Sequence, residues 1–202
     1  MPTSNTVKKY VKDGIYHVYN RAGGHRNLYD SQKDYNFFIC SLNRFLSWKE
    51  LPLEKSYYYT KIKVFAFCLM PNHFHFLLQQ KEQRIISRFM QSIQQSYTLH
   101  KKRTCNWRGR LYESRYKARL IEDDVDLLNI SAYIHTNPLE IPTYIYKYKY
   151  SSLSAYLNSH VRSSRKMRFL NTDMLLEFFN FSPTLYRKFI DGVSASRGAR
   201  VK

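Results

Sequence analysis

The chain is short of acid, of cysteine and of long apolar runs, and each shortage excludes something. Only 15 Asp and Glu stand against 33 Lys and Arg in 202 residues, a formal charge of +18. That balance does not choose a fold. It does argue for a polyanionic partner, because phosphates neutralised by a protein release their counterions. There are three cysteines, Cys40, Cys68 and Cys105, and no Cys-x-x-Cys. An odd count without paired spacing argues against a disulfide framework or a thiolate zinc site, and for a reduced, cytoplasmic protein. No run of 18 apolar residues occurs, so no membrane span is expected. The first residues, Met-Pro-Thr-Ser-Asn-Thr-Val-Lys-Lys, lack the apolar core of a secretory signal.

Aromatic residues are plentiful: 18 tyrosines and 13 phenylalanines. Rings mixed with basic charge suit unpaired nucleic acid, whose bases stack on them. Most of the tyrosines are nevertheless expected to be half-buried packing residues. The length suits one domain with a good core, or a domain with an appendage.

The pattern of elements is readable. Residues 14–20 are β-branched and aromatic and predict a strand. Residues 21–26 form a basic, glycine-containing loop. Ser31 or Asp34 caps a helix whose stripe is Phe37, Phe38, Leu42, Phe45 and Leu46. Residues 49–60 read as a loop. Strands follow at about 62–69 and 74–80, then a helix over about 82–101 with Ile85, Ile86, Phe89, Met90, Ile93 and Tyr97 on one face. Asn106-Trp-Arg-Gly-Arg110 breaks it. A fourth strand is expected at 115–122, and Asp123 or Asp124 caps a third helix ending before Asn137-Pro138. The order β-α-β-β-α-β is ferredoxin-like: an α+β fold with an antiparallel sheet and helices on one face. Residues 1–150 are read as the main domain and 151–202 as a C-terminal helical extension packed on it.

Chemistry concentrates in two segments. In Met70-Pro-Asn-His-Phe-His75, the two histidines are two apart in a strand and share a face. Parallel imidazoles on a rigid sheet make half of a metal site. Two core histidines satisfied by hydrogen bonds would show the same pattern. In Ser131-Ala-Tyr-Ile-His-Thr-Asn-Pro138, Tyr133 and Asn137 share a helix face one turn apart. Packed over the histidines, this face would add a phenol and an amide oxygen. Two imidazoles and one amide oxygen suit Mg²⁺ or Mn²⁺ better than structural Zn²⁺.

The combination of Met70-Pro-Asn-His-Phe-His75, a following basic helix, an Arg-Gly-Arg loop and Tyr133-Ile-His-Thr-Asn-Pro138 resembles the single-tyrosine HUH transposases, most of all their REP-associated branch. The resemblance spans roughly residues 14–155. It implies that His73 and His75 are metal ligands, Tyr133 the nucleophile and Asn137 a third ligand, where insertion-sequence members usually carry Gln. It also implies a bacterial enzyme that cleaves and rejoins single-stranded, hairpin-bearing DNA, such as a REP-like palindromic element, as a monomer or homodimer. The intermediate would be a 5′-phosphotyrosine, with a free 3′-hydroxyl released. Candidate DNA contacts are Asn20, Arg21, His25 and Arg26 after the first strand, and Trp107, Arg108, Arg110, Tyr112, Arg115 and Lys117 before the tyrosine helix. Arginine suits phosphate forks and guanine edges, and the rings suit base stacking. The competing readings are a non-catalytic ferredoxin-like module that binds RNA and a metal-dependent nuclease that uses water.

Overall fold

The computed structural model describes residues 10–24, 26–46, 58–141 and 143–198. The expected loop at 49–60 falls largely outside these, as does His25. Four strands form one antiparallel sheet: β1 (Ile15–Arg21), β2 (Ile62–Met70), β3 (His73–Gln80) and β4 (Lys117–Leu120), in the order β2-β3-β1-β4. Helices α1 (Gln32–Leu46) and α2 (Ile85–Cys105) connect them, and α3 (Asp124–Thr136) follows β4. This is the ferredoxin-like arrangement that the element order predicts.

Local chemistry explains the boundaries. At the start of α1, Ser31 and Asp34 form a reciprocal cap: Ser31 N–H donates to Asp34 Oδ2 at 3.2 Å, and Asp34 N–H to Ser31 Oγ at 3.4 Å. Helix α2 runs one turn beyond expectation and stops at Asn106, which takes the left-handed conformation at φ 49°. The Asp123 carboxylate accepts from Asp126 N–H at 2.7 Å and caps α3.

The sheet separates two cores. Tyr16, Val18, Phe74, Phe76 and Leu78 face α1 and α2, with Phe38, Leu42, Phe89, Ile93 and Tyr97 above them. The opposite face carries Cys68, Met70 and Leu77 against α3, joined by Leu153, Leu175, Leu176 and Ile190 of the C-terminal segment. A bulge in β2 between Val64 and Ala66 shifts the alternation, so Phe65 and Ala66 both join this second core. Single-period reading of β2 could not anticipate that.

The C-terminal segment contains α4 (Leu153–Leu157), α5 (Ser159–Arg162), α6 (Asp173–Glu177) and α7 (Pro183–Gly198). The tyrosine run at 144–150 docks on β2: Leu69 N–H donates to Tyr150 O at 2.9 Å and the Tyr148 hydroxyl to Leu69 O at 2.6 Å. Helix α7 packs on α3. Among the described residues, no helix is long and apolar enough to cross a membrane.

Candidate active site

Period two sends His73 and His75 of β3, and His17, Tyr19 and Arg21 of β1, to the face covered by α3. The last turn of α3 then brings down the residues singled out in the sequence. Asn137 Oδ1 lies 2.9 Å from His73 Nε2. The Tyr133 ring meets His75 edge-on, with centroids 5.3 Å apart. The His73 and His75 rings are 5.0 Å apart and nearly perpendicular. Thus His73, His75, Tyr133 and Asn137 converge, although the two pairs are separated by about 60 residues of chain.

Burial disfavours the charged form of both imidazoles. His75, 5% exposed, is pushed well below the usual histidine range by burial, then by His17 and His73. His73 is lowered by burial, against opposing help from Asn137 and Glu140. The Tyr133 phenol is raised by burial and by Glu140, while Arg197 and Asn137 act to lower it.

His135, on the same helix as Tyr133, is the counter-example. It is fully buried, and its ring pairs with the Tyr186 hydroxyl and Ser152 Oγ, each at 2.7 Å. That is a satisfied core histidine. His73 is different. Its Nδ1 lies 2.6 Å from Asn72 Oδ1, and its Nε2 faces the Asn137 oxygen. The Asn137 amide is oriented by its Nδ2, which donates to Glu140 Oε1 at 3.4 Å. A neutral ring has one proton for two acceptors. If Nδ1 donates to Asn72, the Nε2 lone pair points at a carbonyl lone pair. A proton on Nε2, or a cation shared by the two atoms, would resolve that opposition. The 2.9 Å separation is that of an ordinary hydrogen bond and would also suit two donors to one hard cation. Among the described residues, no group of three or more His, Cys, Asp or Glu gathers to hold a metal.

Three site residues escaped sequence reasoning. His17 Nε2 lies 2.9 Å from His75 Nδ1. Its signal was the strand alternation Ile15-Tyr-His-Val-Tyr-Asn-Arg21, which puts His17 on the polar face. Glu140 follows Asn137 by one turn of 3-10 helix. Arg197 of α7 lies over the Tyr133 ring at 4.7 Å, donates to Tyr133 O at 3.1 Å and Thr136 Oγ1 at 2.6 Å, and pairs with Glu140 at 3.5 Å. Nothing in the sequence links Arg197 to Tyr133.

The proposed DNA contacts divide. Arg21 is exposed at the site's edge, paired in register with His73. Lys117 is exposed, with its ammonium 5.9 Å from the Tyr19 ring. Arg26 lies over Trp107 at 4.8 Å, and Arg108, Arg110 and Arg115 are exposed nearby in sequence. Tyr112 packs partly into the first core. Asn20 corrects the expectation. It is 5% exposed; its Nδ2 donates to Ser114 O and its Oδ1 accepts from Arg21 N–H. Its amide fixes the 112–116 loop against β1 and is not presented to a ligand.

Residues 52–137 match the family model of IS200-like transposases. In fold the chain is similar to the solved REP-associated tyrosine transposase bound to a REP hairpin, with a TM-score of 0.58 at 14% identity over 81% of this chain and 90% of that one. No curated protein matches the sequence.

Proposed function

We propose that this protein is an IS200-like transposase that cleaves and rejoins single-stranded DNA beside a hairpin, with Tyr133 as nucleophile. The observation that carries the reading is the meeting of Tyr133 and Asn137, one helical turn apart, with His75 and His73 of the sheet.

In this reading the Tyr133 oxygen attacks phosphorus. A P–O bond to tyrosine forms as the P–O3′ bond breaks; the phenol gives up its proton, and the departing 3′ oxygen takes one up. Rejoining reverses the step: a 3′-hydroxyl attacks the phosphotyrosine and the phenol leaves. One phosphodiester replaces another, so the bond's energy is conserved and no ATP is required. A free phenol has a pKa near ~10 and is a poor nucleophile at neutral pH. Arg197 opposes the burial that raises it further.

His73 and His75, with Asn137 as third donor, are the residues that would hold Mg²⁺ or Mn²⁺. When bound, that ion would draw charge from the scissile phosphate and offset the negative charge growing on its oxygens. Arg21, Arg110, Arg115 and Lys117 would contact the backbone and set its register. Trp107, backed by Arg26, would offer a ring for an unpaired base. Residues 1–150 form the catalytic domain in this account, and 151–202 the extension that contributes Arg197.

The test compares wild type with Tyr133→Phe on end-labelled hairpin DNA in Mn²⁺. The variant should bind the hairpin and leave it uncut. Undiminished cleavage would make water or another residue the nucleophile.

A further inference from the structure

We propose that His17 is a positioning residue for the site: it accepts the Nδ1 proton of His75 and holds that ring in the tautomer whose Nε2 lone pair is free for a divalent cation. The inference rests on the metal-assisted reading above.

Register makes the contact. Tyr19 of β1 pairs with His75, and His17 with Leu77, so His17 is the diagonal neighbour of His75 on the α3 face. The rings are nearly parallel, 23° apart with centroids at 5.1 Å, and His17 Nε2 is 2.9 Å from His75 Nδ1. One proton lies between these two nitrogens. If His75 carries it, His75 Nε2 is bare and can ligate. If His17 carries it, a neutral His75 holds its own proton at Nε2 and cannot. Ligation therefore requires His17 as acceptor, with its own proton on Nδ1.

A metal-bound histidine ordinarily gives its other N–H to a fixed acceptor, usually a carboxylate or carbonyl, which sets ring orientation and tautomer. His73 has such a partner in Asn72 Oδ1 at 2.6 Å. His75 has an imidazole in that place. Its partner is well held: His17 is 7% exposed, stacked on Tyr19 at 4.9 Å and met edge-on by Tyr133 at 5.8 Å. Arg119, locked to Asp126 by a two-pronged ion pair at 2.7 and 2.8 Å, is a charged neighbour of His17. With Nε2 engaged by His75, His17 is a support for a ligand and not a third imidazole ligand.

Two substitutions separate this role from packing. His17→Phe keeps an aromatic ring without an acceptor, and His17→Gln restores an acceptor without the ring. In metal-free, ¹⁵N-histidine-labelled full-length protein, two-bond N–H correlations report the His75 tautomer. Free Mn²⁺ measured by EPR reports binding. Wild-type His75 should carry its proton on Nδ1. His17→Phe should populate the other tautomer and weaken Mn²⁺ binding by about 10–100-fold. His17→Gln should recover most of both. Hairpin affinity in EDTA should stay at the wild-type level in both variants. Wild-type Mn²⁺ affinity and tautomer in His17→Phe, or a His17→Gln protein as weak as His17→Phe, would overturn the role of His17 alone. Wild-type protein that binds Mn²⁺ no better than a His73→Ala/His75→Ala variant would instead overturn the underlying metal reading, and this inference with it.

Discussion

Replacing Arg197 by Ala should slow DNA cleavage although Arg197 lies 64 residues from Tyr133. The change removes two charge-assisted hydrogen bonds, at 3.1 Å to Tyr133 O and 2.6 Å to Thr136 Oγ1, a guanidinium over the Tyr133 ring and an ion pair to Glu140 at 3.5 Å. The ion pair is solvent-exposed and contributes below about 1 kcal/mol. The ring contact adds about 0.5–1 kcal/mol. Each hydrogen bond from a charged donor contributes about 1.5–3 kcal/mol, less here because a quarter of the Arg197 side chain is exposed. Only the share that holds the end of α3 against the sheet enters the barrier. A share of about 1.4–2.8 kcal/mol corresponds to ~10–100-fold in rate. The assay is single-turnover cleavage of a labelled hairpin at saturating enzyme, with gel-shift affinity in parallel. Arg197→Lys should recover only part of the rate, because an ammonium cannot reproduce the planar fork. Cleavage by Arg197→Ala at the wild-type rate would refute the argument. A loss confined to hairpin affinity would make Arg197 a DNA contact instead.

Other outcomes follow from the same geometry. Lys101, fully buried between Asp30 at 2.6 Å and Asp34 at 3.2 Å, should cost about 3–5 kcal/mol when changed to Met, measured by urea unfolding. Burial alone would raise the Asp34 carboxyl, but the Asp30 N–H and Lys101 outweigh it and hold it below its ordinary value. A depressed folded pKa gives stability that is full above the unfolded value near ~3.9 and lost as pH falls through the folded one. The urea midpoint should therefore drop below about pH 4, and less so in Lys101→Met. His73→Ala combined with His75→Ala should abolish cleavage in Mg²⁺ and Mn²⁺ while leaving hairpin binding in EDTA unchanged; residual metal-dependent cleavage would displace the ligand assignment. Affinity should fall by ~10³–10⁵ between about 50 and 200 mM salt if roughly 6–10 phosphates are contacted. A hairpin with a single-stranded flank should bind better than a blunt duplex of equal length at every salt concentration.

The parts of the site that sequence made legible are those set by short-range periodicity. His73 and His75 share a strand face, and Tyr133 and Asn137 share a helix face, because spacing alone dictates it. The cap at Ser31 and Asp34 and the break at Asn106 follow from local hydrogen bonding and left-handed backbone. What stayed hidden depends on register and packing. Strand pairing makes His17 the diagonal neighbour of His75, and a lone histidine in β1 does not announce that. The β2 bulge turns Phe65 into the second core against simple alternation. Arg197 reaches Tyr133 only because α7 packs on α3. Asn20 misled because residue type suggested a ligand contact, whereas its buried position commits the amide to the backbone of the neighbouring loop.

The most direct measurement of the central claim is recovery of a covalent protein–DNA species. Wild-type protein, a hairpin with a single-stranded flank and Mn²⁺ would be incubated, denatured and digested, and the nucleotide-bearing peptide sequenced by mass spectrometry. The account predicts a phosphodiester-linked adduct on Tyr133, absent in EDTA and absent from Tyr133→Phe. Cut DNA with no adduct, or an adduct on another residue, would contradict it.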